Sequence, residues 1–174
     1  DTGFFHDSAY SYWSLGDGPD GREVRKGGAA SRLTLDRKIV SYFGSDKDLS
    51  AEANRVIETN SNIKDSHLQL PASYTTAHRN TLLKWARGID VNDEDNDTLR
   101  DDARTFMEDP LHSQPVVITY GKNSADKTFD STVFMATNSG YIHAISTDES
   151  NPKEHFAFIP AELLDNLYQY FTGL

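Results

Sequence analysis

Residues 132–146 read TVFMATNSGYIHAIS, and this stretch decides the fold class. Thr132–Thr137 and Tyr141–Ser146 are each short and rich in β-branched and aromatic side chains, the composition of strands. Between them stand Asn138, Ser139 and Gly140, the length of a hairpin loop whose third residue turns left-handed. Glycine enters that conformation without a Cβ penalty, so Gly140 sits where the turn needs it. The pattern predicts two antiparallel strands.

Working outward, PVVITY at 115–120 precedes this hairpin, and HFAFI at 155–159 follows it across the polar loop TDESNPKE. Four short strands in succession predict an antiparallel meander. A lone sheet of that size would leave its edges and an apolar face in water. Propellers solve this by packing four-stranded sheets radially against like sheets, so the meander fits one blade. A small sandwich or an α+β sheet fits the same pattern. A closing helix is expected from near Pro160, with Leu163, Leu164, Leu167, Tyr168 and Phe171 on one face.

Upstream of Pro115 the spacing is helical or irregular. RKIVSYF at 37–43 predicts a short strand ended by Gly44. Ser50 is placed to cap a helix to about Glu58 whose stripe is Ala53, Val56 and Ile57. Residues 59–73 read as polar loop, broken by Pro71. A second helix is expected over Thr76–Arg87, anchored by Trp85 and stopped by Gly88. A third is expected over Leu99–Met107 with Thr98 as cap. In residues 1–31, Asp17-Gly18 and Asp20-Gly21 favour tight turns, and Gly27-Gly28 a structural turn with close backbone approach. Phe4, Phe5, Tyr10, Tyr12 and Trp13 are expected to pack irregularly on a neighbouring surface. The whole reads as α+β: residues 1–114 irregular and helical, residues 115–174 a meander with its covering helix.

Bulk properties narrow the function. A net charge of −10 over 174 residues argues against nucleic acid as a partner, because phosphate attracts clustered Lys and Arg. No run approaches the ~18 apolar residues of a membrane span. Cysteine is absent, which removes thiolate chemistry and disulfides from this chain. A start at Asp1 without Met reads as a processed or excised piece, with any export signal outside it.

Four segments in order, Trp85–Asp90 (WARGID), Asp109–Val117 (DPLHSQPVV), Val133–Ala144 (VFMATNSGYIHA) and Phe156–Leu164 (FAFIPAELL), resemble the PilC/PilY family of type IV pilus biogenesis and tip-associated adhesin proteins. The segment from Asp20-Gly21 to Ala30 looks like the connection preceding that family's propeller. The resemblance implies the start of a C-terminal β-propeller domain, with its first blade here and the remaining blades after Leu174. It implies a non-enzymatic pilus assembly and cell adhesion role, in a protein exported through the periplasm to the cell surface or fimbrium. Its implied partners are pilus components or pilins, a host or surface ligand, and the remainder of the parent propeller. A quinoprotein-like propeller enzyme and a calcium-dependent structural module are the competing readings.

The acidic run 90–102 is the metal candidate. Crowded carboxylates repel one another and supply the hard oxygens that calcium prefers. Read as a twelve-position loop from Asp90, oxygen-bearing side chains fall at Asp90, Asn92, Glu94, Asn96, Thr98 and Asp101. Asp95 stands where such loops carry Gly, and Asp101 where they carry Glu, so a solvated connector competes with the site Asp90, Asn92, Glu94, Asn96 and Asp101. No catalytic set emerges: His112 beside Ser113 lacks a nucleophile elbow. His112 is expected to fix the start of the strand by hydrogen bonds, and His143 to be a hydrogen-bonded structural imidazole.

Overall fold

The structure is a computed structural model that describes residues 3–14, 18–23, 25–44, 46–122, 129–148 and 151–173. Its regular elements are β1 (Ile39–Val40), α1 (Asp65–Leu68), α2 (Thr76–Ala86), β2 (Val116–Lys122), β3 (Phe129–Ala136), β4 (Ile142–Ser146), β5 (Glu154–Phe158) and α3 (Asn166–Thr172). Short 3₁₀ turns occur at Ala30–Arg32, Glu52–Asn54 and Ala161–Leu163. The architecture is α+β: a helical and irregular N-terminal region, one mixed sheet and a C-terminal helix.

The sheet order is β1-β5-β4-β3-β2. Strands β2 to β5 form the expected antiparallel meander. Gly140 takes φ +88° and closes the β3–β4 hairpin, with Thr137 N–H on Tyr141 O at 2.8 Å. A side chain there would also meet Leu163 Cδ1 at 2.9 Å, so the turn packs directly on the 3₁₀ turn before α3. A fifth strand comes from the N-terminal region. Of RKIVSYF, Ile39 and Val40 alone are strand, and they run parallel to β5, pairing with Ala157 and Phe158.

The register divides the sheet into two unlike faces, because paired residues point the same way and neighbours point oppositely. Ile39, Ala157 and His143 share one face. On this side Ile39, Ala157 and Ile159 join Leu82 and Leu83 of α2 and Leu164 and Leu167 near α3 in one core cluster. Each of those leucines is at most 1% exposed, and burying such a side chain contributes roughly 1.5–3 kcal/mol. The opposite face carries Val116, Ile118, Phe134, Ile142, Phe156 and Phe158. Here Val116, Ile118 and Ile142 are exposed and the three phenylalanines are only half-buried. The first face is closed over β1, β5 and β4 and open at β2, where Val117 is exposed; the other keeps an apolar strip in water.

Upstream, α2 forms as its residues dictate. Thr75 caps it by accepting from His78 N–H, Gly88 at φ +91° ends it, and Trp85 is buried against Phe171. Several expectations are corrected. The Ser50–Glu58 helix shrinks to a 3₁₀ turn, because Ser41 N–H donates to Asn54 O and Val56 N–H to Ile39 O. This segment spends its backbone bonds on β1. Residues 59–73 are not all loop: α1 forms within them and buries Leu68 completely.

The Leu99–Met107 helix is absent. Thr98 takes φ +76°, Leu99 is exposed, and the chain returns to pair with the end of α2. Asp90 N–H donates to Asp102 O, and Arg104 N–H to Gly88 O. The N-terminal rings pack only in part as expected: Phe4, Phe5, Tyr10 and Tyr12 are all more than half exposed, whereas Trp13 is half-buried edge-on to Tyr12, whose hydroxyl donates to Thr147 O at 2.6 Å. Order there comes from Asp20, which accepts Ser11 N–H and Ser14 Oγ–H, and from Ser11 Oγ, which accepts Gly28 N–H. A Cβ on Gly27 would run into the Asp20 carboxylate, which explains a glycine there. Asp17 of the expected Asp17-Gly18 turn lies outside the described residues.

Candidate functional site

The antiparallel return of 102–104 along 88–90 closes the acidic run into a loop at the foot of α2. Asp90 is buried at 2% exposure, and both its oxygens accept Glu94 N–H, at 2.9 and 2.8 Å. Glu94 in turn accepts Trp85 Nε1–H at 3.1 Å and pairs with Arg104 Nε at 2.8 Å. The Arg104 guanidinium stacks between the Trp85 and Phe106 rings, 4.6 Å from each centroid. These contacts give Asp90 and Glu94 internal structural work, and Asn92, Asn96 and Asp101 stand exposed.

The carboxylates that converge are Asp93, Asp95 and Asp97, each offering an oxygen within 4.8 Å of the others. They are not among the five residues the sequence picked. A twelve-position reading sends odd positions inward, whereas left-handed turns at Asp93, Asn96 and Thr98 fold this loop differently. Asp93 Oδ1 accepts Thr98 N–H, Asp95 Oδ1 accepts Asp97 N–H and Asp97 Oδ1 accepts Leu99 N–H, so each of the three carboxylates is held by backbone. The trio can ligate a cation. Burial, aided by the negative charges of Asp97, Asp95 and Asp90, pushes the nearby Asp102 carboxyl up.

A second cluster lies where β1, β4 and β5 meet the loop. Arg37, Glu154 and His143 form a buried polar network. Arg37 makes a forked pair with Glu154, Nε at 2.7 Å and Nη2 at 3.0 Å, and His143 Nδ1 lies 2.7 Å from Glu154 Oε1. Burial alone would push the Glu154 carboxyl up. The His143 hydrogen bond and the Arg37 charge and hydrogen bonds more than reverse that, and hold it at about 2. An ionised carboxylate only accepts, so Nδ1–H of His143 is the donor.

Beside this network Tyr141 donates to Ala86 O at 3.0 Å, and burial pushes its phenol far up. Arg37, His143, Tyr141, Arg104, Phe106 and Glu108 line a narrow cleft with about 30 Å³ of room for water centres. Since one water needs ~10–15 Å³ by that measure, the cleft takes about two. Burial pushes the Glu108 carboxyl up, against the lowering influence of Arg104.

His143 is thus the hydrogen-bonded imidazole expected from its strand, but its partners Arg37 and Glu154 were not legible. His112 is exposed and makes no hydrogen bond among the described residues. The start of β2 is held instead by Ser113 Oγ, which accepts Ala136 N–H at 3.1 Å, and Asp109 O, which accepts Asn138 N–H at 2.9 Å. Among the described residues, no helix is long and apolar enough to cross a membrane.

Searches against protein-family models, characterised proteins and solved structures returned no match for this chain.

The network makes a pH prediction. Glu154 titrates at about 2 when folded against 4.5 in the unfolded chain, so the unfolded state binds the proton first on acidification. The stability this carboxylate contributes, about 3 kcal/mol from that difference, is fully present above pH ~4.5 and is lost as pH falls toward 2. Urea unfolding of Glu154→Gln at neutral pH should show a loss of about 3 kcal/mol, with a flatter acid limb than the parent. An unchanged midpoint and an unchanged acid limb would contradict the role assigned to Glu154.

Proposed function

We propose that this chain is a non-catalytic sector of an exported, type IV pilus-linked assembly and adhesion protein, carrying the first sheet of a propeller. The observation that carries the reading is the unlike pair of sheet faces. One face is covered by α2 and α3 over β1, β4 and β5, whereas Val116, Ile118, Phe134 and Ile142 keep the other apolar and open. Contiguous apolar surface of this kind marks a site of association, and a following sheet of the same parent would bury it as propeller blades bury one another.

The segments that resemble the pilus family also meet in space. Tyr141 bonds Ala86, Asn138 bonds Asp109, Gly140 packs on Leu163, and Ile142 pairs with Phe158. Four separated pieces of sequence therefore form one body, which favours reading them as a single inherited unit. Pilins and a host or surface ligand would be met by loops and by the exposed aromatic N-terminal segment. Deleting the coding segment for residues 115–159 from the parent gene should reduce piliation and surface attachment. Normal piliation with normal attachment would sink the proposal.

Asp93, Asp95 and Asp97 favour a second reading, in which calcium organises the acidic loop and, through Glu94, the Trp85–Arg104 stack. Neutralising three crowded carboxylates would stabilise the folded state by mass action. Calcium titration by calorimetry should release or absorb heat, and a chelator should lower the melting temperature in the parent but not in Asp95→Asn. Absence of heat together with identical melting curves would leave the loop a solvated connector.

A further inference from the structure

His143 is 3% exposed, and only one of its ring nitrogens is bonded. Nδ1–H is committed to Glu154, whereas Nε2 has no hydrogen-bond partner among the described residues. Two guanidiniums are half-committed in the same way. Arg37 gives Nε and Nη2 to Glu154, and Arg104 gives Nε to Glu94. Arg37 Nη1 and both terminal nitrogens of Arg104 therefore have no acceptor among the described residues. None of these four atoms is sealed from solvent. The open space that all three side chains border is the narrow cleft beside Tyr141.

We propose that this cleft binds a small planar oxyanion that carries its own proton, of the hydrogencarbonate type. Charge selects an anion. Arg37 and Arg104 line the cleft, while Glu154 and Glu94, the carboxylates that hold them, lie outside its lining. Glu108 is the one carboxylate among the described lining residues, and it makes no ion pair with either arginine. A guanidinium bonds an oxyanion more strongly than it bonds a water, because the bond is charge-assisted on both sides.

The imidazole selects the proton. With Nδ1–H on Glu154, Nε2 of the neutral ring is an acceptor, so the group beside it must donate. Chloride and simple carboxylates have no proton to give. Hydrogencarbonate donates from its O–H and accepts at its other oxygens. Size agrees with this choice. Space for about two waters seats two oxygens, the O–H on Nε2 and an oxygen on a guanidinium, with the third at the mouth. Tyr141 keeps the wall in shape: its hydroxyl is fixed on Ala86 O, and its ring stacks on the imidazole at 5.9 Å and 25°.

The two tryptophans supply a probe and its control. Trp85 lines the cleft and carries the Arg104 guanidinium on its ring, whereas Trp13 is not part of the lining. Their indole N–H resonances are followed by NMR while sodium hydrogencarbonate replaces chloride at constant ionic strength, at about pH 8 to keep the imidazole neutral. The expected result is a saturable shift of Trp85 with half-saturation between about 0.1 and 10 mM, the range open to a four-atom ligand, and no shift of Trp13. Formate, which leaves the Nε2 lone pair facing an oxygen, should bind roughly threefold or more weakly. Arg104→Gln should abolish the shift. Because that variant also frees Glu94, Glu108→Gln gives the complementary test: removing the wall carboxylate should tighten hydrogencarbonate roughly threefold. Circular dichroism of Glu108→Gln should match the parent, since its position is only half-buried. Three results each overturn the proposal: no saturable Trp85 shift up to about 50 mM, formate binding as tightly as hydrogencarbonate, or one affinity shared by the parent and both variants.

Discussion

Glu154 ties the two halves of the chain together. Its carboxylate, at the start of β5, receives the Arg37 guanidinium from the segment before β1 and the His143 imidazole from β4. A buried carboxylate without such partners would cost several kcal/mol, so the site is stable only when all three segments are in register. That requirement coincides with the parallel pairing of β1 on β5, where Ala157 N–H donates to Lys38 O and Ile159 N–H to Val40 O. Gly88 belongs to the same constraint, since Arg37 lies so close that a Cβ would meet Nη1 at 2.7 Å. The end of α2 and the edge of the sheet are therefore fixed by one guanidinium and one carboxylate.

From this centre the sheet becomes progressively less supported. Strands β1, β5 and β4 are packed on helices, β3 is half-buried, and β2 is bare. The gradient gives the molecule its functional character. Rigid structure sits near Glu154, and apolar surface capable of meeting other protein accumulates away from it. The acidic loop is anchored to the rigid side through Glu94, Trp85 and Arg104, so a cation at Asp93, Asp95 and Asp97 would act on the supported end of the fold.

The meander was legible because it is local: alternation, short runs and Gly140 specify hairpins between neighbours in sequence. Helix α2 was legible for the same reason, through Leu82, Leu83 and the stop at Gly88. What escaped was non-local. Nothing near Asn54 announces that its carbonyl will serve Ser41, and a stripe of Ala53, Val56 and Ile57 reads equally well as helix or as a chain laid beside a strand. The Leu99–Met107 stripe failed similarly, because its backbone found partners at 88–90. In the acidic loop spacing picks Asp90, Asn92, Glu94, Asn96 and Asp101, whereas Asp93, Asp95 and Asp97 converge, since left-handed turns at Asp93 and Asn96 cannot be counted from spacing. The Arg37–Glu154 pair spans 117 positions, beyond any local pattern.

The account rests on a sheet whose support fades from Glu154 toward β2, and residue-resolved native-state hydrogen exchange measures that support amide by amide. The account predicts that ladder amides of β4, β5 and the paired residues of β1 exchange only through global unfolding, and those of Val116–Thr119 through local opening at much lower free energy. Equal protection of β2 and β5, or fast exchange at the β1–β5 pairing, would contradict it.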